Sequence, residues 1–101
     1  MARKAVIQRE LKREKVVKKY QVKRSEIKAR LLNAKISDQE RWELYLSLYK
    51  QPRNASKCRL RNRCYLTGRP RGVYKKFALS RTKLRELVMS GVIPGIKKSS
   101  W

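Results

Sequence analysis

The apolar residues of this chain fall into segments of helical spacing, separated by a long stretch rich in turn-forming residues. Over residues 1–35 the apolar stripe is broken. The segment nevertheless contains no Gly and no Pro, and it is rich in Lys, Arg, Glu, Ala and Leu, which favour helix. We therefore predict one or two exposed basic helices that dock along a surface.

Residues 38–50 carry the clearest amphipathic pattern. Apolar side chains recur at the i, i+3, i+4 and i+7 spacing of one helix face, at Trp42, Tyr45, Leu46 and Tyr49. Ser37 followed by Glu40 predicts a capped start, and Pro52 predicts the end, because the residue before a proline avoids the α region. The aromatic side chains could stack on bases, but packing in a core is the favoured interpretation.

Residues 51–79 are predicted to be irregular, because Pro, Gly, Asn and Ser recur along them. Residues 73–77 form a candidate short strand within this stretch. A last helix is predicted from Ser80, a good N-cap, to about Ser90, with Gly91 as its stop. The predicted fold class is mainly α with extended irregular segments: N-terminal helices, a central Arg-rich loop with little strand and a short C-terminal helix, in a non-compact chain.

The strong positive charge of the sequence is its most informative property beyond the predicted secondary structure. The 101 residues carry 29 Lys and Arg against 7 Asp and Glu, a net charge of +22, and only 41% of them are hydrophobic. The net charge is +10 over residues 1–35, −1 over 36–50 and +12 over 51–85, where no acidic residue occurs. Because like charges oppose compaction, we expect a small core and a polyanionic partner that orders the chain.

Several classes of protein are disfavoured by composition. The sequence has no apolar run near the roughly 18 residues of a membrane span, and its start lacks the apolar stretch of a secretory signal. The absence of histidine removes imidazole as an acid, base or nucleophile partner, so no catalytic residue is predicted. Cys58 and Cys64 cannot form a disulfide framework, and an incidental thiol is favoured over a redox-active one.

Nucleic-acid binding is well supported by the residue types. Arginine forks match phosphate geometry and stack on bases, and Tyr65, Tyr74 and Phe77 are interleaved with the arginines of the central segment. RNA is favoured over DNA because the Arg-rich segment is irregular, and because no helix-turn-helix or basic zipper is evident. A nucleoid-type protein that coats DNA is the alternative.

The segment NRCYLTGRPRG, residues 62–72, resembles the bacterial and organellar form of small-subunit ribosomal protein number fourteen. The similarity continues through KFALSR, residues 76–81, and GVIPG, residues 91–95, to the terminal KSSW. The chain length and the closing Ser-Trp fit the long version of this family. The N-terminal half matches in length and character, including RELKR at residues 9–13.

This resemblance implies a non-enzymatic structural protein in the head of the small subunit, near the decoding region, in the cytoplasm of a bacterium or in a plastid or mitochondrion. The implied partners are small-subunit rRNA, which would order the chain, and the neighbouring ribosomal proteins three, ten, thirteen and nineteen. No membrane and no small-molecule substrate are expected. Residues 1–50 are predicted as a basic helical region and residues 51–101 as an Arg-rich rRNA-binding region, together one functional unit. The residues expected to bind rRNA are Arg3, Lys4, Arg9, Lys12, Arg13, Arg53, Arg59, Arg61, Arg63, Arg69, Arg71, Lys75, Lys76, Arg81, Lys83 and Arg85.

The short form of the family carries a C-x2-C-x12-C-x2-C pattern suited to tetrahedral zinc. Its four positions fall here on Cys64, Thr67, Ser80 and Lys83. Hydroxyls are poor zinc ligands and an ammonium group repels the ion, so the sequence predicts no metal and no cofactor. Turn glycines, the RNA and four apolar side chains are then expected to hold this region: Val73, Phe77, Leu79 and Leu84.

Overall fold

The computed structural model describes residues 2–99, so Ser100 and Trp101 of the family-like C-terminus lie outside the described residues. Within residues 2–99, helices α1 (Lys4–Leu31), α2 (Asp38–Tyr49) and α3 (Arg81–Met89) contain most of the regular structure. Strands β1 (Val73–Tyr74) and β2 (Leu79–Ser80) pair antiparallel, with Val73 opposite Ser80. Single turns of 3-10 helix occupy Arg53–Ala55 and Lys57–Arg59. The predicted fold class, mainly helical with little strand, is confirmed.

Helix α1 is one continuous helix of 28 residues, about 42 Å long at 1.5 Å per residue. It is stabilised mainly by propensity and by charge at its end, since Lys28 and Arg30 lie in the last turn, where cations favour the helix dipole. Only Glu10 and Val17 of this helix are buried. None of the helices within the described residues combines the length and apolar character that a membrane crossing requires.

Helix α2 begins as predicted and packs differently from the prediction. The Ser37 hydroxyl accepts a hydrogen bond from the Glu40 backbone N–H at 3.3 Å, which satisfies one of the free donors at the helix start. Among the described residues, however, nothing buries the aromatic stripe: Trp42 is 63% exposed and Tyr49 is 74% exposed. The expectation that these side chains pack in a core is therefore wrong. The neighbouring face, with Leu44 and Leu48, is the half-buried one.

Helix α3 has both of the predicted ends. The Ser80 hydroxyl accepts a hydrogen bond from the Lys83 N–H at 3.5 Å. At the other end Gly91 has φ +75°, its N–H donates to the Val88 carbonyl, and the Val92 N–H donates to the Leu87 carbonyl, both at 3.1 Å. This pair of bonds is the Schellman arrangement, in which a left-handed glycine lets the last carbonyls of a helix find donors.

The chain divides into two compact units. The first comprises residues 1–7 and 61–101, and the second comprises residues 8–60. In the second unit the buried apolar residues are Val17 and Ala55, which line one groove between α1 and the 3-10 turns. In the first unit they are Cys64 and Leu79, with Ser80 fully buried beside them. Both cores are small, as the charge balance predicts; the functional division near residue 51 stays a prediction.

Gly68 joins the beginning of the first unit to its Arg-rich loop. The Ala2 N–H donates to the Thr67 carbonyl at 3.1 Å. Gly68 has φ +74°, and a Cβ there would lie 2.9 Å from Ile7 Cδ1 and 3.0 Å from Ala2 Cβ. The position therefore requires glycine for two reasons, the left-handed backbone and the close approach of the N-terminal residues.

Candidate nucleic-acid interface

The Arg-rich loop of the first unit, residues 61–72, is held by its own backbone. The Gly68 N–H donates to the Cys64 carbonyl at 2.9 Å, and the Cys64 N–H donates to the Arg69 carbonyl at 3.0 Å. A further bond at 2.8 Å, from the Tyr65 N–H to the Ala78 carbonyl, ties this turn to the β1–β2 hairpin. The loop therefore has a defined conformation despite its lack of regular secondary structure.

Two predicted RNA-binding arginines support that conformation directly. Arg61 Nε donates to the Pro70 carbonyl at 3.0 Å, and the Arg63 terminal nitrogen Nη1 donates to the Gly68 carbonyl at 3.0 Å. Arg63 is half-buried, and its Nε has no hydrogen-bond partner among the described residues. Arg61 stays exposed. Each of these two guanidinium groups thus uses one hydrogen-bond donor to hold the conformation of the loop.

Arg81 packs against the backbone of Gly72, the residue that follows Arg71 in the chain. The Arg81 N–H donates to the Gly72 carbonyl at 2.8 Å, and the Arg81 Cδ lies 3.5 Å from where a Gly72 Cβ would be. Both arginines are exposed. Gly72, with φ +60°, therefore permits both the turn and the passage of the Arg81 stem.

Most of the remaining predicted cations in the first unit face solvent. Those that are exposed are Arg3, Lys4, Lys75, Lys76 and Arg85, whereas Arg69 is half-buried. Lys83 is also half-buried, and its Nζ donates to Glu86 Oε2 at 3.0 Å, so part of its charge is already compensated within the chain. Lys97 and Lys98, which the sequence analysis did not single out, are exposed in the same unit.

The predicted cations of the second unit lie on α1 and on the 3-10 turns. Arg9, Lys12, Arg53 and Arg59 are exposed. Arg13 is half-buried and its terminal nitrogen lies 3.1 Å from Glu10 Oε2, an ion pair within one turn of helix. This pair contributes to the stability of buried Glu10, whose burial would be costly without a cation or donor beside it.

The first unit is strongly positively charged. Its sequence contains thirteen Lys and Arg residues against a single carboxylate, Glu86. The exposed aromatic rings Tyr65, at 85%, and Tyr74, at 53%, lie in the same unit, and Phe77 is half-buried. Cations that pair with phosphate and rings that stack on bases are the two ingredients of a surface for single-stranded or irregular RNA.

Cys64 lies at the centre of this unit in an unusual chemical environment. It is only 3% exposed, and burial alone raises the pKa of its thiol. Hydrogen bonds from the side chains and backbone of Thr67 and Ser80 outweigh that effect, and they lower the pKa from its ordinary 9.0 to about 6. A pKa of about 6 favours the thiolate at neutral pH, and its hydrogen bonds link the turn at Thr67 to Ser80 at the start of α3.

This hydrogen-bonded cluster occupies the positions that the short form of the resembled family gives to zinc ligands. Cys64 supplies one sulfur and Ser80 a hydroxyl, but the Lys83 ammonium is bonded to Glu86. Within the described residues, no group of three or more His, Cys, Asp or Glu side chains is placed to hold a metal ion. One thiolate with two hydroxyls and an ammonium does not fit a zinc ion.

The comparison with protein families agrees with the geometry. A family model described as ribosomal protein S14p/S29e matches residues 47–100, more than half of the chain. The chain belongs to this family. The match includes the Arg-rich loop, the hairpin and α3, so the resemblance drawn from residues 62–72 is confirmed at the family level. As a member of the S14p/S29e family, the chain is a ribosomal protein of the small subunit and a component of a ribonucleoprotein that acts in translation.

Proposed function

We propose that this chain is a non-enzymatic structural constituent of the small ribosomal subunit that binds small-subunit rRNA and helps to assemble the head of the subunit near the decoding region. The observation that carries the proposal is the first unit, with thirteen cations, one carboxylate and a loop fixed by its own hydrogen bonds. A preformed cationic loop loses less conformational entropy on binding than a disordered one.

The mechanism is charge neutralisation combined with scaffolding. Lys and Arg side chains displace the counterions that condense on RNA, and the irregular loop and hairpin fill space between rRNA helices. Arg69, Arg71, Lys75, Lys76, Arg81 and Arg85 are the first contacts in this proposal, followed by the basic residues of α1. Contact with about eight phosphates corresponds to a slope of about −6 to −7 in log affinity against log salt.

Helix α2 has a different role in this proposal, as a surface for neighbouring proteins. Its exposed stripe contains Trp42 and Tyr49, and the Tyr45 and Tyr49 rings stack with centroids 6.4 Å apart. The surrounding segment 36–50 has a net charge of −1 in a chain of +22, which disfavours phosphate and favours a basic protein surface. The neighbours that the family resemblance suggests are the ribosomal proteins three, ten, thirteen and nineteen.

The donor set around Cys64 supports assignment to the long form of the family, without the zinc-binding cysteines, in the ribosome of a bacterium or an organelle. Its hydrogen-bonded cluster takes the structural role that the metal has in the short form.

Sedimentation tests the proposal. A lysate is separated on a sucrose gradient at low magnesium, where the subunits come apart, and each fraction is probed for this chain. We expect stoichiometric migration with the small subunit that survives a moderate salt wash. Migration at the top of the gradient, or with DNA, would contradict the proposal and favour a general nucleic-acid-binding protein.

A further inference from the structure

An open groove of about 420 Å³ lies in the first unit, between the hairpin loop, α3 and the segment that follows α3. Its apolar lining comes from Tyr74, Phe77, Leu84, Val88, Met89 and Ile96. Tyr74 and Met89 are more than half exposed, so the apolar surface is accessible from solvent. The volume falls within the roughly 300–1,000 Å³ of small-molecule sites in proteins.

The lining of the groove also contains five cationic residues, which we call the cationic rim. They are Lys76, Arg81, Arg85, Lys97 and Lys98. No Asp or Glu occurs among the described lining residues, and the one carboxylate of this unit, Glu86, is bonded to the Lys83 ammonium at 3.0 Å. An anion at the rim would therefore meet five cations and no competing carboxylate.

Local backbone geometry builds the aromatic side of the groove. The Phe77 N–H donates to the Tyr74 carbonyl at 3.2 Å, which closes a tight turn and brings both rings to the same site. Ala78 then adopts φ +52°, a left-handed conformation that reverses the chain into β2. Lys76 Nζ lies 5.7 Å from the Phe77 ring centroid, so a cation already covers part of this aromatic surface.

The combination of apolar lining and cationic rim selects among possible occupants. Duplex RNA keeps its bases stacked inside and offers only phosphate and sugar, which would leave the apolar lining uncovered. A protein side chain from a basic partner would be repelled by the rim. An unstacked nucleotide has both required parts, a flat base for the rings and a phosphate for the cations.

We propose that this groove binds one unstacked nucleotide of an RNA strand, with the base against Tyr74 and Phe77 and the flanking phosphates at Arg81, Arg85 and the lysines of the rim. The inference rests on the rRNA-binding function proposed above and assigns a specific site to it. The site is distinct from the Arg-rich loop, because it adds base stacking to charge.

A fluorescent base analogue tests the proposal with the full-length chain. The probe is a single-stranded RNA oligonucleotide with 2-aminopurine at its centre, compared with the same sequence paired into a duplex. We expect quenching of the single-stranded probe on binding. Tyr74→Leu, which keeps apolar surface and removes the ring, should weaken single-strand binding about fivefold or more, as loss of one stacking contact does. Its affinity for the duplex should change less than about twofold.

Matched variants separate the groove from general effects. Tyr49→Leu removes an exposed ring on α2, which lies outside the groove and outside the proposed RNA surface, and it should leave RNA binding unchanged. Met89→Glu places a carboxylate at the groove and should weaken single-strand binding more than Val92→Glu, an exposed position outside the lining. Equal effects of Tyr74→Leu and Tyr49→Leu, or equal loss of duplex and single-strand binding, would overturn the proposal.

Failure of the groove assignment can be distinguished from failure of the proposed ribosomal function. If the chain sediments with the small subunit and Tyr74→Leu leaves single-strand binding unchanged, as Tyr49→Leu should, only the groove assignment is wrong. If the chain does not sediment with the subunit, the ribosomal proposal fails whatever the probe shows. In assembled subunits, ultraviolet crosslinking should join a nucleotide to Tyr74 or Phe77. Crosslinks to residues of the Arg-rich loop, without any crosslink to Tyr74 or Phe77, would count against the groove assignment.

Discussion

The Cys64 thiolate predicts that the stability of this protein rises with pH between about 6 and 9. The perturbation is Cys64→Ser, which keeps a small hydrogen-bonding side chain and removes the titrating thiol. In the folded chain the hydrogen bonds from Thr67 and Ser80 hold the pKa at about 6, whereas in the unfolded chain the ordinary value of 9.0 applies. The folded state therefore binds fewer protons than the unfolded state throughout this window, and stability rises with pH.

The magnitude follows from the size of the shift. Three pKa units at 1.36 kcal/mol each give about 4 kcal/mol of stabilisation, fully present above pH 9 and lost as pH falls through 6. Near pH 7.5 about half of this stabilisation remains. The window is free of histidine titration, because the chain has no histidine. Groups shared by the wild type and the variant cancel in the difference between their curves.

Two assays measure this effect. Urea unfolding followed by circular dichroism between pH 5.5 and 9.0 gives the free energy of unfolding, which should rise by about 4 kcal/mol across the window in the wild type and should be nearly flat in Cys64→Ser. Absorbance at 240 nm, where thiolates absorb, follows the titration directly in a thiol-free reductant. The matched control is Cys58→Ser, at the exposed cysteine, which should keep the step near pH 6.

The reasoning would be refuted by wild-type and Cys64→Ser curves with the same slope, or by a step near pH 6 that persists in Cys64→Ser. A step in the absorbance titration without a slope in the unfolding curves would show instead that the thiolate keeps its partners in the unfolded ensemble.

Three further predictions concern the loop, the interface and α2. Gly68→Ala should lower the free energy of unfolding by about 2 kcal/mol or more, because it combines a φ of +74° with a carbon 2.9 Å from the new Cβ. Gly95→Ala, with a φ of +78° and no described atom within 4 Å, should cost only about 1 kcal/mol in the same urea titration. Replacing Arg69 and Arg71 together by Ala should reduce incorporation into the small subunit in competition with wild type, and equal occupancy would argue against their contact with rRNA. Trp42→Ala should weaken association with neighbouring proteins of the subunit without altering the salt dependence of RNA binding, as measured by pull-down and filter binding.

The ends of the helices were predictable from the sequence because their signals are local. Ser37 and Ser80 each supply a hydroxyl to a backbone N–H three residues on, and Gly91 supplies a left-handed stop after α3. These contacts depend on neighbours along the chain and not on tertiary packing. The strand predicted over residues 73–77 is right only at Val73–Tyr74. Residues 75–77 form a turn instead, closed by the bond from the Phe77 N–H to the Tyr74 carbonyl.

The packing of α2 was not predictable, because an amphipathic pattern identifies an apolar face without identifying what covers it. Leu44 and Leu48 are half-buried, while the aromatic stripe beside them stays exposed within the described residues. In a chain that works inside a large assembly, an apolar face can be reserved for a neighbouring molecule. The i, i+3, i+4 and i+7 spacing is the same whether an apolar face packs in the core of its own chain or contacts a neighbouring molecule.

The candidate site was predictable in its residue types and not in its geometry. Charge and arginine content identified the loop, but the bonds from Arg61 and Arg63 to the Pro70 and Gly68 carbonyls depend on how the loop folds back on itself. Likewise the alignment of Cys64 with a zinc pattern led to the prediction of no metal, but the hydrogen bonds around the Cys64 sulfur depend on the fold, which brings Ser80 beside Thr67.

In the first unit, hydrogen bonds at contact distance and charge interactions at longer range respond differently to salt. The hydrogen bonds to the Cys64 sulfur act at contact distance in a buried site, where salt screens little. The exposed cations act at longer range and are screened strongly, so in the proposed function their contribution to RNA binding depends on counterion release. One buried anion also lies within a unit of thirteen cations, where it lessens their mutual repulsion before any RNA arrives. The contacts that hold the loop are therefore weakened less by salt than the proposed binding of rRNA would be.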